Sequence, residues 1–126
     1  MIIFDSNIWI AFYHENDTLH DKAKKLFQTT TGIVWVPEYI FIEVCSVLHM
    51  RVDKKMADAF SDRLATSNRA ILTPINTELF SAMRTYFRDG KHLGLSFIDV
   101  SLLYLSQFHT VHTFDKKLAN AIKKQK

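Results

Sequence analysis

The sequence predicts a single α/β domain over residues 1–126, built on a mainly parallel central sheet of four to five short strands with helices on both faces. Three observations carry that expectation. Short β-branched or aromatic runs alternate with long segments of helical periodicity, the pattern of strands joined by helical crossovers. Those runs are apolar almost throughout, so they read as buried strands. A chain of 126 residues that is 48% hydrophobic supports one core, and its three Gly and two Pro leave no linker, repeat or low-complexity stretch.

The first strand is "IIF" at 2–4, followed by helical segments at 6–13 and 18–30. "GIVWV" at 32–36 is the second strand. Pro37 then fits the first position of a helix over 37–51, where an amide hydrogen would have no partner anyway. Asp53 fits the N-cap of a helix over 53–67, because its carboxylate accepts from first-turn amides that otherwise stay unpaired. "AIL" at 70–72 is the third strand, Asn76 caps a helix over 76–88, and Ser96 caps one over 96–108. "TVHTF" at 110–114 is the fourth strand and 115–124 the last helix.

Composition narrows the function classes. The opening "MIIFD" lacks a basic region followed by a long apolar run, and no segment approaches the length of a membrane span, so a cytoplasmic protein without membrane contact is expected. Cys45, in "FIEVCSVL", has no second cysteine to pair with and reads as a small core hydrophobe. Sixteen basic against thirteen acidic residues give +3, compatible with a polyanionic partner but far below the density of a nucleic-acid-coating protein. The six His are scattered; His109 and His112 lack helical ligand spacing and read as structural or surface residues.

The acids are more informative. "LSFIDVSLLYL" at 95–105 is almost wholly apolar, yet Asp99 shares a helical face with Leu95, Leu102 and Leu103. An unpaired carboxylate there costs several kcal/mol or takes up a proton, so something should compensate it. Ligands of parallel sheets gather at the carboxyl ends of the strands, where Asp5 follows the first strand and Asp115 the last. Glu43 interrupts "YIFIEVCSVL" on the face of Ile40 and Val47. Each aspartate also has an ordinary explanation: Asp5 and Asp115 as helix caps, and Asp99 as the partner of Ser96 in a capping box. Glu43 stands too far from either helix end to cap it. Four converging acids repel one another unless a cation lies between them, and carboxylates without clustered Cys or His favour Mg²⁺ or Mn²⁺ over zinc.

The stretches "IIFDSNIWI", "PEYIFIEVCSVL", "LGLSFIDVSLLYL" and "VHTFDKKL" resemble, in order and spacing, the motifs of PIN-domain nucleases, especially the VapC-like toxins of toxin-antitoxin pairs. The resemblance spans nearly the whole chain. It implies a metal-dependent ribonuclease whose Asp5, Glu43, Asp99 and Asp115 bind one or two Mg²⁺ or Mn²⁺ ions and leave 5′-phosphate and 3′-hydroxyl ends. It gives supporting roles to Ser6 and Asn7 beside the first acid, to Ser96 beside Asp99, and to Thr113, whose hydroxyl would orient Asp115 or a water. Some relatives carry a further acid where this chain has Lys117, which leaves the second metal position open. Lys116 and Lys117 are candidate phosphate contacts, whereas Lys123, Lys124 and Lys126 also fit a solvated helix end.

The implied partners are RNA, an antitoxin protein and a second copy in a homodimer. Trp9, Phe12 and Tyr13 fit either core packing or an apolar groove beside Asp5 for such partners. Two rivals stand beside this reading. One is a PIN-domain ribonuclease of cellular RNA processing or decay that has no antitoxin. The other is a phospho-receiver-like module, which needs an acceptor Asp at the end of a central strand; "AILTPI" supplies none.

Overall fold

A computed structural model describes residues 1–125; Lys126, part of the expected basic tail, lies outside the described residues. The chain runs β1 (Ile2–Phe4), α1 (Ser6–Tyr13), α2 (His20–Thr29), β2 (Val34–Pro37), α3 (Glu38–Arg51), α4 (Lys54–Thr66), β3 (Ala70–Thr73), α5 (Thr77–Asp89), α6 (Phe97–Leu105), β4 (Thr110–His112) and α7 (Lys116–Lys124). The four strands form one sheet in the order β3-β2-β1-β4. Every pairing is parallel, with Ile2 opposite both Val34 and Thr110, and Val34 opposite Ala70.

That order dictates where a site forms. From β1 the chain steps through β2 to β3, then returns to lay β4 on the other side of β1. Right-handed crossovers therefore carry α1–α4 over one face and α5 and α6 over the other. The packing agrees: α1 lies against α2 and α3, α3 against α4, and α6 against both α5 and α7. Between β1 and β4 the direction of winding reverses, which opens a crevice at the carboxyl ends of those two strands.

Several boundaries differ from expectation for local reasons. β2 starts at Val34 rather than residue 32, because Gly32 takes a left-handed φ of 102° and turns the chain ahead of the ladder. Pro37 is not the first helical residue. Its ψ of 142° keeps it extended opposite Thr73, so it ends β2 and stands as the N-cap of α3. Having no N–H, proline is equally tolerated in either place. α2 begins two residues late, since the Asp17 carboxylate accepts the Leu19 amide at 2.8 Å and closes a turn first. α6 stops at Leu105, and residues 106–109 tighten into a turn in which the Gln107 and Phe108 amides reach three residues back. β4 ends at His112, which frees Thr113 and Phe114 from the ladder. Asp53 and Asn76 do cap α4 and α5, accepting the Met56 and Leu79 amides at 2.8 Å each.

The core lies between the sheet and its helices, with Ile3, Phe4, Ile8, Val36, Ile40, Leu48, Phe60 and Leu102 fully buried. Trp9 is 1% exposed and meets Phe27 and Phe60 edge-on at 4.9 and 5.2 Å. Phe12 and Tyr13 are half-buried beside the same rings. The α1 aromatics thus pack against the core, Trp9 fully and Phe12 and Tyr13 in part. An apolar groove of about 520 Å³ lies among α3, α5 and α6, lined by Tyr39, Ile42, Phe80 and Phe97. Cys45 is half-buried against the core, and burial pushes its thiol up. His109 and His112 pack on Trp35 and Phe4, in keeping with structural roles.

Candidate active site

Asp5 directly follows β1 and is 5% exposed. One carboxylate oxygen accepts the Ser6 amide at 2.7 Å, capping α1; the other accepts the Thr113 hydroxyl at 2.7 Å and, more weakly, the Asn7 amide nitrogen at 3.4 Å. Asn7 bridges onward, donating to Thr113 Oγ1 at 3.3 Å and accepting the Phe114 amide at 3.2 Å. Because β4 ends at His112, Thr113 is free to turn its hydroxyl across the crevice. Asn7 and Thr113 therefore lock the end of β1 to the end of β4, and Ser6 fixes Asp5 locally.

Asp99 sits one turn into α6. Its Oδ2 accepts the Ser96 amide at 3.0 Å while Ser96 Oγ accepts the Asp99 amide at 3.1 Å, a complete capping box. Asp115 is exposed and caps α7, accepting the Lys117 and Leu118 amides at 2.8 and 3.2 Å. Its own amide donates to Thr113 Oγ1 at 3.0 Å, which ties it to the Asp5 network. Every aspartate of the predicted set is thus a cap as well as a candidate ligand. Glu43 is different: it lies in mid-helix, and its Oε1 is buried without a hydrogen-bond partner.

The electrostatics show which acids act on Asp5. Burial pushes the Asp5 carboxyl above its ordinary value of 3.8, against the pull of Thr113 and Ser6, and the charges of Asp99 and Glu43 push it further up. The charges of Glu43 and Asp99 are thus both felt at the buried Asp5, at the end of β1. Lys117 places its ammonium beside Gly94, in the loop leading to Ser96, close enough that a Cβ there would lie 3.4 Å away. Lys116 is exposed in the first turn of α7.

Sequence reasoning missed two residues that join the helices carrying Glu43 and Asp99. Tyr39, one turn before Glu43 on α3, is hydrogen-bonded at 2.7 Å to Ser101 of α6. Its phenol is pushed up to about 12, chiefly by burial and further by the charge of Asp5, with the Ser101 bond opposing. Ser101 carried a signal: like Asp99, it interrupts an otherwise apolar helix. Tyr39 did not, being one aromatic among ten Phe, four Tyr and two Trp.

The PIN domain family profile matches residues 2–124. The chain belongs to the PIN-domain family. Among solved structures, this PIN domain is similar to VapC20 of Mycobacterium tuberculosis, a sarcin-ricin loop cleaving toxin, with a TM-score of 0.82 and 18% identity over 96% of this chain and 95% of that one. A comparison with curated proteins gives no match.

The side chains of this PIN domain can be tested against a divalent ion. Among the described residues, no three His, Cys, Asp or Glu side chains converge closely enough to form a ligand set as they stand. The chemistry nevertheless fits. The donors are carboxylates, Glu43 Oε1 is buried and unpartnered, and Asp5 is held in the presence of two like charges. A buried acceptor without a donor beside mutually repelling carboxylates is a place for a hard cation.

Proposed function

We propose that this PIN domain is a Mg²⁺- or Mn²⁺-dependent ribonuclease that hydrolyses RNA phosphodiester bonds, acting in the cytoplasm as the toxin of a toxin-antitoxin pair. The observation that carries the reading is a buried Asp5 at the end of β1 on which the charges of Glu43 and Asp99 act, with Glu43 Oε1 buried and lacking any donor. Membership of the PIN-domain family supports nuclease chemistry, and the fold shared with a VapC toxin supports the toxin role and an antitoxin partner. No described helix is long and apolar enough to cross a membrane.

Asp5, Glu43, Asp99 and Asp115 would hold the ion. When bound, a divalent cation lowers the pKa of a coordinated water and offsets charge on the phosphate. The chain's own residues prepare that site. Ser6, Asn7 and Thr113 fix the Asp5 rotamer, and Ser96 fixes Asp99. The buried surround of Asp5 lowers the local dielectric and strengthens every charge interaction. Lys116 and Lys117, exposed in the first turn of α7 after Asp115, would contact flanking phosphates of an RNA strand. A homodimer is part of the proposal, and elution of the pure protein at monomer mass would remove that part.

The test is cleavage of RNA with and without chelator. Activity is expected with Mn²⁺ or Mg²⁺ and is expected to disappear in EDTA and return on adding excess metal. Undiminished cleavage in EDTA would overturn the metal mechanism, and absence of cleavage under every metal condition would overturn the nuclease reading.

A further inference from the structure

We propose that the Tyr39–Ser101 hydrogen bond is a positioning clamp, holding α3 at a fixed separation from α6 so that Glu43 and Asp99 face one shared cation. The inference rests on the metal-site reading above and extends it to two residues outside the acidic set. The direction of the bond is determined by its neighbours. Ser101 Oγ donates its one proton to the Ile98 carbonyl at 2.6 Å, so Tyr39 is the donor across the 2.7 Å gap. The phenol proton is thereby committed to α6 and is not offered to a carboxylate, which leaves the acids free of a competing donor.

The placement suits a clamp. Tyr39 precedes Glu43 by four residues, on the same face of α3. Ser101 is 2% exposed and follows Asp99 by two residues within α6, so the two move as one rigid turn. The crossovers bring α3 and α6 from opposite faces of the sheet, this bond joins them, and the charge of Asp5 is felt at the Tyr39 phenol. Without a cation, like charges on Asp5, Glu43 and Asp99 push the two helices apart. The clamp resists that drift. The repulsion is then borne in the folded protein before metal arrives, and less rearrangement remains for the binding step.

The test compares the parent with Tyr39→Phe, Ser101→Ala and the double variant. For each, Mn²⁺ affinity is measured by calorimetric titration, and the melting temperature is recorded in EDTA. Each single variant is expected to weaken Mn²⁺ binding about two- to tenfold, the factor associated with one neutral hydrogen bond. The double variant is expected to bind no more weakly than the worse single, because both substitutions remove the same bond. Variants that melt lower in EDTA yet bind Mn²⁺ as the parent does would reduce the pair to packing and overturn the clamp alone. Additive losses in the double variant would also overturn it. A parent that binds no Mn²⁺ would overturn the clamp and the metal site together.

Discussion

Replacing Thr113 with Val keeps the shape of the side chain and removes one hydroxyl, which donates to the buried Asp5 carboxylate at 2.7 Å and accepts from Asn7 and the Asp115 amide. A hydrogen bond to a charged group contributes about 1.5–3 kcal/mol, and Asp5 is too buried for water to replace the donor. The Asp115 amide loses an acceptor at an exposed position, where water restores most of the cost. The expected loss at neutral pH is therefore about 2–3 kcal/mol, or roughly 8–12 °C in Tm for a domain of this size.

The pH dependence separates this cause from simple repacking. Asp5 has a folded-state pKa above its unfolded value, so the folded protein binds the proton more readily, and stability rises as pH falls through the folded pKa toward 3.8. The Thr113 bond lowers that folded pKa; removing it raises the value further. The variant consequently gains more on acidification than the parent, and its deficit narrows. Calorimetric melts of both proteins in EDTA, stepped from pH 7 downward, measure this directly. A deficit below about 0.5 kcal/mol at pH 7, or one that stays constant or widens in acid, would refute the account of Asp5 as a buried carboxylate held by Thr113.

Two further substitutions probe the site and its scaffold. Asp99→Asn keeps an oxygen for the Ser96 amide but removes a charge acting on Asp5, so it is expected to melt above the parent in EDTA, gain less from Mn²⁺ and lose RNA cleavage. A lower melt in EDTA with cleavage intact would leave Asp99 as a cap alone. Leu102→Ala, at a fully buried position of α6, should cost about 2–5 kcal/mol in urea denaturation, and a loss under 1 kcal/mol would contradict its place in the core.

The strand order of the chain was legible because every strand is a short apolar run bounded by turn or cap residues, and parallel pairing follows from the helices between them. The acids after β1 and β4 were legible by position, since ligands of a parallel sheet gather at the carboxyl ends of its strands. What sequence could not separate was capping from ligation. Asp5, Asp99 and Asp115 each satisfy a cap with the same atoms that a cation would use, and no local pattern distinguishes the two. The end of β4 was also hidden, since "TVHTF" has strand propensity throughout while Thr113 gives up the ladder for a long-range bond to Asp5. Tyr39 and Ser101 lay beyond reach because their partnership spans 62 residues and arises only when two crossovers meet.

The bond between Thr113 and Asp5 closes a span of 108 residues. During synthesis, β1 emerges well before β4. The nascent chain can pair β1 with β2 and β2 with β3 while the second edge of β1 stays bare. At three residues, that edge is too short to recruit another chain strongly. Through this interval Asp5 has no Thr113 to hold it, and until α6 is made the charge of Asp99 does not act on it. Whatever these carboxylates do is therefore withheld from a chain that has reached only β3 and waits for the segment that carries Thr113.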